Sequence, residues 1–159
     1  MEYRILGPVE VVSEDGPLPV RAGNQRALLG LLLLRANRVV SVERLIEDLW
    51  GEDAPDTAVH MLHVYMSRLR KVLGSARTDE PEGEVLVTRP PGYLLRVDPE
   101  DLDLARFRSL AAQGKGALDA ALADEASVAL SQGLDLWRGP PLADVEFIGP
   151  VEPELSRLA

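Results

Sequence analysis

Between Thr57 and Arg77 the sequence places two histidines, His60 and His63, then Ser67, Arg68, Arg70, Lys71 and Arg77, with no Asp or Glu among them. Side chains of these types can ligate a metal, move a proton, or hold an anion through charge-assisted hydrogen bonds. The first use is poorly supplied: the chain has no cysteine, and no third ligand stands near the histidine pair at a recognisable spacing, so no metal is expected. The second lacks partners, because these are the only two histidines and both fall in one segment. There is also no glycine-rich phosphate loop and no serine nucleophile elbow, so neither an enzyme nor a cofactor is expected. Anion recognition is left. A second cue follows in Arg89-Pro90-Pro91-Gly92-Tyr93, where a basic residue sits at a turn between two β-like runs, Val85 to Thr88 and Leu94 to Val97.

Helical geometry sorts the first group onto faces. At 100° per residue, Ala58, Leu62, Tyr65, Leu69, Val72 and Leu73 of the segment Thr57 to Leu73 fall within an arc of about 100°, the width of a core-facing stripe. His60, His63, Ser67 and Lys71 take the opposite side, with Arg68 and Arg70 on the flanks. Gly74 ends the segment, and the polar stretch Ser75 to Glu84 reads as a mobile loop.

Other elements must position that helix. Glu2 to Val12 reads as short antiparallel strands, followed by a turn at Glu14-Asp15-Gly16-Pro17 and a further extended run, Leu18 to Arg21. Asn24 to Ala36 is dense in Leu and Ala and reads as a helix buried on most sides. Ser41 precedes a second helix carrying Val42, Leu45, Ile46, Leu49 and Trp50, closed by Gly51. From Asp98 the composition changes: an acidic, linker-like tetrad, Asp98-Pro99-Glu100-Asp101, leads into one helix from Leu104 to about Ala121 and another from about Asp124 to Trp137. Two helices alone make an incomplete core, so this part needs more chain, a partner, or the first half.

Charge follows the same division. The 159 residues carry 17 Lys plus Arg against 26 Asp plus Glu, a net charge of −9, which by itself argues against a polyanionic partner. Residues 98 to 159 hold most of that excess, with 5 basic and 12 acidic side chains, whereas residues 1 to 97 hold 12 and 14. A basic helix on a nearly neutral half changes the expectation. The longest apolar run, Ala27 to Leu34, is too short to span a bilayer, and the first twenty residues lack the order of a secretory signal. A cytoplasmic, nucleoid-associated protein without membrane contact is expected.

Helix, short turn, helix with a polar outer face, then a hairpin tipped by arginine, is the physical equipment for reading double-stranded DNA. On this reading His60, His63 and Ser67 meet base edges or nearby phosphates, Arg68, Arg70 and Lys71 hold phosphates, and Arg89 enters the adjacent minor groove. A competing use of the same parts is a protein-interaction module, or a truncated regulator that sequesters a partner or homologue.

Four motifs in order also resemble a known family. Gln25-Arg26-Ala27-Leu28-Leu29, the run from Arg38-Val39-Val40-Ser41-Val42 to Leu49-Trp50-Gly51, Val64 to Lys71, and Thr88 to Tyr93 are similar to the Streptomyces antibiotic regulatory protein family. Asp101-Leu102-Asp103 with Phe107, and Leu136 to Ala143, extend the likeness into the second half. The resemblance implies an α+β chain. Residues 1–97 would form an OmpR-type winged helix-turn-helix with small antiparallel sheets, and residues 98–159 the start of an incomplete, tetratricopeptide-like bacterial transcriptional activator domain. It further implies a sequence-specific activator that binds direct repeats in promoters of secondary-metabolite genes as a homodimer and helps recruit RNA polymerase holoenzyme.

Overall fold

A computed structural model describes residues 1–75, 85–147, 149 and 151–158. The loop expected at Ser75 to Glu84, with Arg77, lies almost wholly outside the described residues. Among those described, no helix is long and apolar enough to cross a membrane.

The chain opens with a three-stranded antiparallel sheet of β1 (Glu2–Arg4), β2 (Glu10–Ser13) and β3 (Gly16–Pro17). β3 begins inside the expected turn, with Ser13 opposite Gly16, and Leu18 donates a last hydrogen bond to Val11 at 2.8 Å. The expected strand over Leu18 to Arg21 does not form, because Pro17 and Pro19 have no N–H with which to continue a ladder.

α1 (Asn24–Leu34) is the centre of the molecule, and Leu28, Leu29, Leu31 and Leu33 are fully buried. A two-residue strand, β4 (Val40–Ser41), leads directly into α2 (Val42–Trp50), whose first turn is capped by the Ser41 hydroxyl accepting from the Arg44 N–H at 3.1 Å. After a short 3₁₀ turn comes α3 (Ala58–Ser75), then β5 (Leu86–Arg89) and β6 (Gly92–Leu95). The second sheet has the order β4-β6-β5. Three helices backed by a sheet whose outer hairpin projects beside the third form the winged helix-turn-helix expected from the sequence.

α4 (Asp103–Asp119) and α5 (Ala123–Leu134) make an antiparallel pair, followed by the short α6 (Glu152–Ser156). α5 ends three residues before Trp137, which is free to set its ring edge-on to Phe107 with centroids 5.2 Å apart. Gly114 appears in the sequence as a weakness in α4, yet a Cβ there would come within 2.5 Å of the Leu130 side chain. It is a place where the Leu130 side chain of α5 sits directly on the α4 backbone.

The acidic tetrad Asp98 to Asp101 is a capped turn and not an extended linker, and it leads directly into a buried junction. Asp98 caps a 3₁₀ turn, Pro99–Asp101, by accepting from the Glu100 N–H, and Asp103 is 2% exposed. The Asp103 carboxylate accepts hydrogen bonds from the N–H groups of Ile5 (2.9 Å) and Leu6 (2.9 Å), while Tyr3 bridges Leu102 in parallel fashion. Burial pushes this carboxyl above the usual carboxylate range, against the pull of the N–H groups of Ile5, Leu6 and Leu104 and the charge of Arg138. The segment after α5 returns to the same edge: the N–H groups of Arg138 and Leu142 donate to the carbonyls of Leu6 and Ile5 at 2.7 and 3.0 Å. Leu104, Leu142 and Val151 accordingly lie in one apolar core with α1. The start of α4 and the segment after α5 thus pack on the first half, while Leu118, Leu122, Val128, Leu130 and Leu134 stay exposed.

Candidate nucleic-acid interface

α3 starts where Pro55 and Thr57 offer carbonyls to the N–H groups of Ala58 and Met61, each at 2.9 Å. Its inner face is Ala58, Leu62, Met66, Leu69 and Leu73, all at most 4% exposed. Their spacing, four and then three or four residues, is that of one helical stripe. The observed stripe is turned slightly from the expected one: Met66 is at its centre, and Tyr65 and Val72 are half-buried at its edge. An unbranched thioether suits full burial, whereas a tyrosine at the edge of the stripe can keep its polar tip near solvent.

The outer face carries His60, His63, Ser67, Arg68 and Lys71, all exposed. His60, His63, Arg68 and Lys71 make no hydrogen bond or ion pair with any described residue. Five of the seven side chains singled out from the sequence therefore share one accessible surface. Among the described residues no group of three or more His, Asp or Glu is arranged to hold a metal ion.

Arg70 stands apart. Its Nε donates to the Leu86 carbonyl at 3.2 Å and its Nη2 to the Thr88 hydroxyl, so the guanidinium grips β5. The same group lies 6.0 Å from the centroid of the Tyr93 ring. Tyr93 is 6% exposed, and burial raises its phenol pKa against the opposing charge of Arg70. Arg70 thus fixes the hairpin to the helix. The sequence contained a hint of this, since a flanking arginine on an amphipathic helix can lay its stem along apolar surface toward the next element.

Arg89 is exposed at the end of β5, opposite Gly92, across a two-residue Pro90-Pro91 loop. The hairpin tip is fixed from the other side as well. Val40 and Ser41 pair with Tyr93 and Gly92, and the Val42 N–H donates to the Pro91 carbonyl at 3.2 Å. At Gly92 a Cβ would lie 1.8 Å from the Val40 carbonyl oxygen, so only glycine permits this approach. The capped start of α2, the hairpin tip and the second half of α3 are in this way tied together by short bonds.

A buried ion network, not foreseen from the sequence, holds α2 to the rest. Asp48 is fully buried and meets Arg35 Nη1 at 2.7 Å and Arg44 Nε at 3.2 Å, while Arg35 Nη2 reaches Glu154 at 2.8 Å. Burial works against the Arg35 charge, but its bonds to Glu154 and Asp48 prevail and raise its pKa. Gly149 lies against the end of α2, donating its N–H to the Asp48 carbonyl at 3.1 Å.

Residues 21–95 match the family described as "Transcriptional regulatory protein, C terminal", and residues 102–159 match the "Bacterial transcriptional activator domain". The chain is 39% identical over 158 residues to the transcriptional regulatory protein EmbR of Mycobacterium tuberculosis, covering 99% of this chain and 40% of that protein. It is 39% identical over 144 residues to the transcriptional regulator RedD of Streptomyces coelicolor, covering 91% and 41%. With the regulatory protein DnrI of Streptomyces peucetius the figures are 36% over 161 residues, covering 99% and 59%. A solved structure of Mycobacterium tuberculosis EmbR, in complex with a low affinity phosphopeptide, superposes with a TM-score of 0.83 at 39% identity, over 90% of this chain and 37% of that one. The chain thus spans about two fifths of the length of EmbR and RedD.

Proposed function

The chain belongs to the Streptomyces antibiotic regulatory protein family of transcriptional regulators, and from that premise we propose that it reads duplex DNA with α3 in the major groove and the β5–β6 hairpin as the wing. His60, His63 and Ser67 meet base edges or nearby phosphates, Arg68 and Lys71 hold phosphates, and Arg89 enters the minor groove. Arg70 contributes by holding the wing at a set distance from the helix. It meets a phosphate only through whatever donors its bonds to β5 leave free. The observation that carries this reading is the two-sided character of α3, with one face sealed in the core and the other exposed and basic, its His60, His63, Arg68 and Lys71 without partners among the described residues.

Residues 1–97 are on this reading the DNA-binding unit and residues 98–159 the start of the activator domain. The protein acts in the cytoplasm on the nucleoid and is not an enzyme. As a homodimer on direct repeats it brings RNA polymerase holoenzyme to promoters of secondary-metabolite genes. Selection from a random duplex pool tests the reading. Enrichment of a direct repeat with half-sites spaced by about one helical turn is expected. Recovery of unenriched sequences would favour the protein-interaction alternative. His63→Ala should change the selected sequence, whereas Lys71→Ala should lower affinity evenly across sequences.

A further inference from the structure

A cleft of about 450 Å³ opens between the winged helix and the helical half, and four arginines line it. Arg38 and Arg44 come from either side of β4, Arg108 from α4, and Arg157 from just beyond α6. Arg38, Arg108 and Arg157 are exposed and make no side-chain hydrogen bond or ion pair with any described residue. Among the described residues Arg44 uses its Nε alone, on Asp48. The carboxylate in the cleft, Glu154, is bonded to Arg35, so it does not neutralise the other four.

This concentration runs against the local composition. Residues 98 to 159 contain 5 basic side chains against 12 acidic ones, and two of those five, Arg108 and Arg157, are in this cleft. Arg38, Arg108 and Arg157 have no carboxylate bonded to them among the described residues, and an anion placed between guanidinium groups relieves their mutual repulsion. Each also offers a planar fork that fits phosphate oxygens in pairs.

Shape separates the possible anions. The cleft is concave, and Phe107, Pro153 and Leu158 give it an apolar wall. A duplex backbone is a convex rod reached by projecting side chains and makes little use of such a wall. Concave sites of a few hundred Å³ that combine apolar walls with a few fixed polar groups are the usual form of small-ligand sites. We propose that this cleft binds a small phosphorylated organic molecule. Its phosphate lies among the arginines, its apolar or aromatic part rests on Phe107, and it bridges the winged helix to the helical half. The proposal is independent of the DNA-reading assignment.

Titration calorimetry on the whole 159-residue chain tests it, with adenosine diphosphate and inorganic phosphate as probes at constant ionic strength. One saturable site per chain is expected, with the diphosphate bound more tightly than phosphate. Arg108→Ala and Arg157→Ala should each weaken it about tenfold, because each removes a charge-assisted contact. Neither side chain has a protein partner among the described residues, so the urea midpoint should not fall. Lys115→Ala, on α4 but outside the cleft, should leave binding unchanged. Four results would overturn the proposal: no heat with either probe, equal affinity for both, binding indifferent to both arginine variants, or variants that weaken duplex binding like Lys71→Ala while neither probe binds.

Discussion

Replacing Asp103 by alanine should loosen the junction on which both halves depend. The carboxylate accepts from the N–H of Ile5 at 2.9 Å and the N–H of Leu6 at 2.9 Å. Ile5 and Leu6 are fully buried, so water does not reach those donors from the surface. Two orphaned N–H groups at about 1 to 3 kcal/mol each set an upper range of about 6 kcal/mol, and a water molecule in the vacated volume would recover part of it. A loss of about 4 kcal/mol is expected, a large share of the roughly 5 to 15 kcal/mol that holds an ordinary domain together. With a urea slope of about 2 kcal/mol per molar, the unfolding midpoint should fall by about 2 M. Asp103→Asn keeps the volume and one acceptor oxygen, and should cost about 1 to 2 kcal/mol. Urea unfolding at neutral pH, followed by circular dichroism, measures all three proteins. A loss below about 1 kcal/mol for Asp103→Ala, or an asparagine variant weaker than the alanine one, would refute the view that these N–H groups depend on this carboxylate.

The same residue makes a prediction about pH. Because its folded pKa is raised above the ordinary 3.8, the native state takes up a proton before the unfolded state does as pH falls through that window. The parent's margin over Asp103→Asn should therefore widen from neutral pH toward 3.8 and then stay level, and a margin that shrinks would contradict the assignment. Gly92→Ala should separate β4 from β6, with a loss of about 3 kcal/mol or more in urea unfolding, since no flexible side chain can move out of the way; a loss below about 1 kcal/mol would show that the strands do not meet there. Arg70→Met and Lys71→Ala should both weaken DNA binding but differ in salt response: the slope of log K on log salt should become shallower by about 0.9 for Lys71→Ala and change little for Arg70→Met. Equal changes in slope would mean that Arg70 contacts phosphate as Lys71 does.

Much of the winged helix is legible because its signals are local. Ser41 before Val42, Gly51 after Trp50, and the stripe of α3 each fix an element from residues within a few positions of one another. The exposure of His60, His63, Ser67, Arg68 and Lys71 follows from the same periodicity. Contacts between segments distant in the chain have no such trace. Arg35 meets Glu154 across 119 positions, and Asp103 meets Ile5 across 98. An exposed acidic stretch that looks like a linker therefore leads straight into a buried junction at Leu102 and Asp103, and an arginine on the flank of α3 is a brace for the wing. Gly114 misleads for the same reason, because the intrinsic helix cost is visible locally and the Leu130 side chain it accommodates is not. The motif around Trp137 to Ala143 likewise has a use that only the fold reveals, in returning the chain to the carbonyls of Ile5 and Leu6.

The claim that the outer face of α3 and the wing tip meet a DNA backbone is tested most directly by fluorescence anisotropy on a selected duplex at several salt concentrations. Arg68, Lys71, Arg89 and helix or backbone donors would give about four to six phosphate contacts per protomer, and so a slope of log K on log salt of about −4 to −5. A slope near zero, with binding retained at high salt, would contradict the assignment and mark the surface as an interface for another protein.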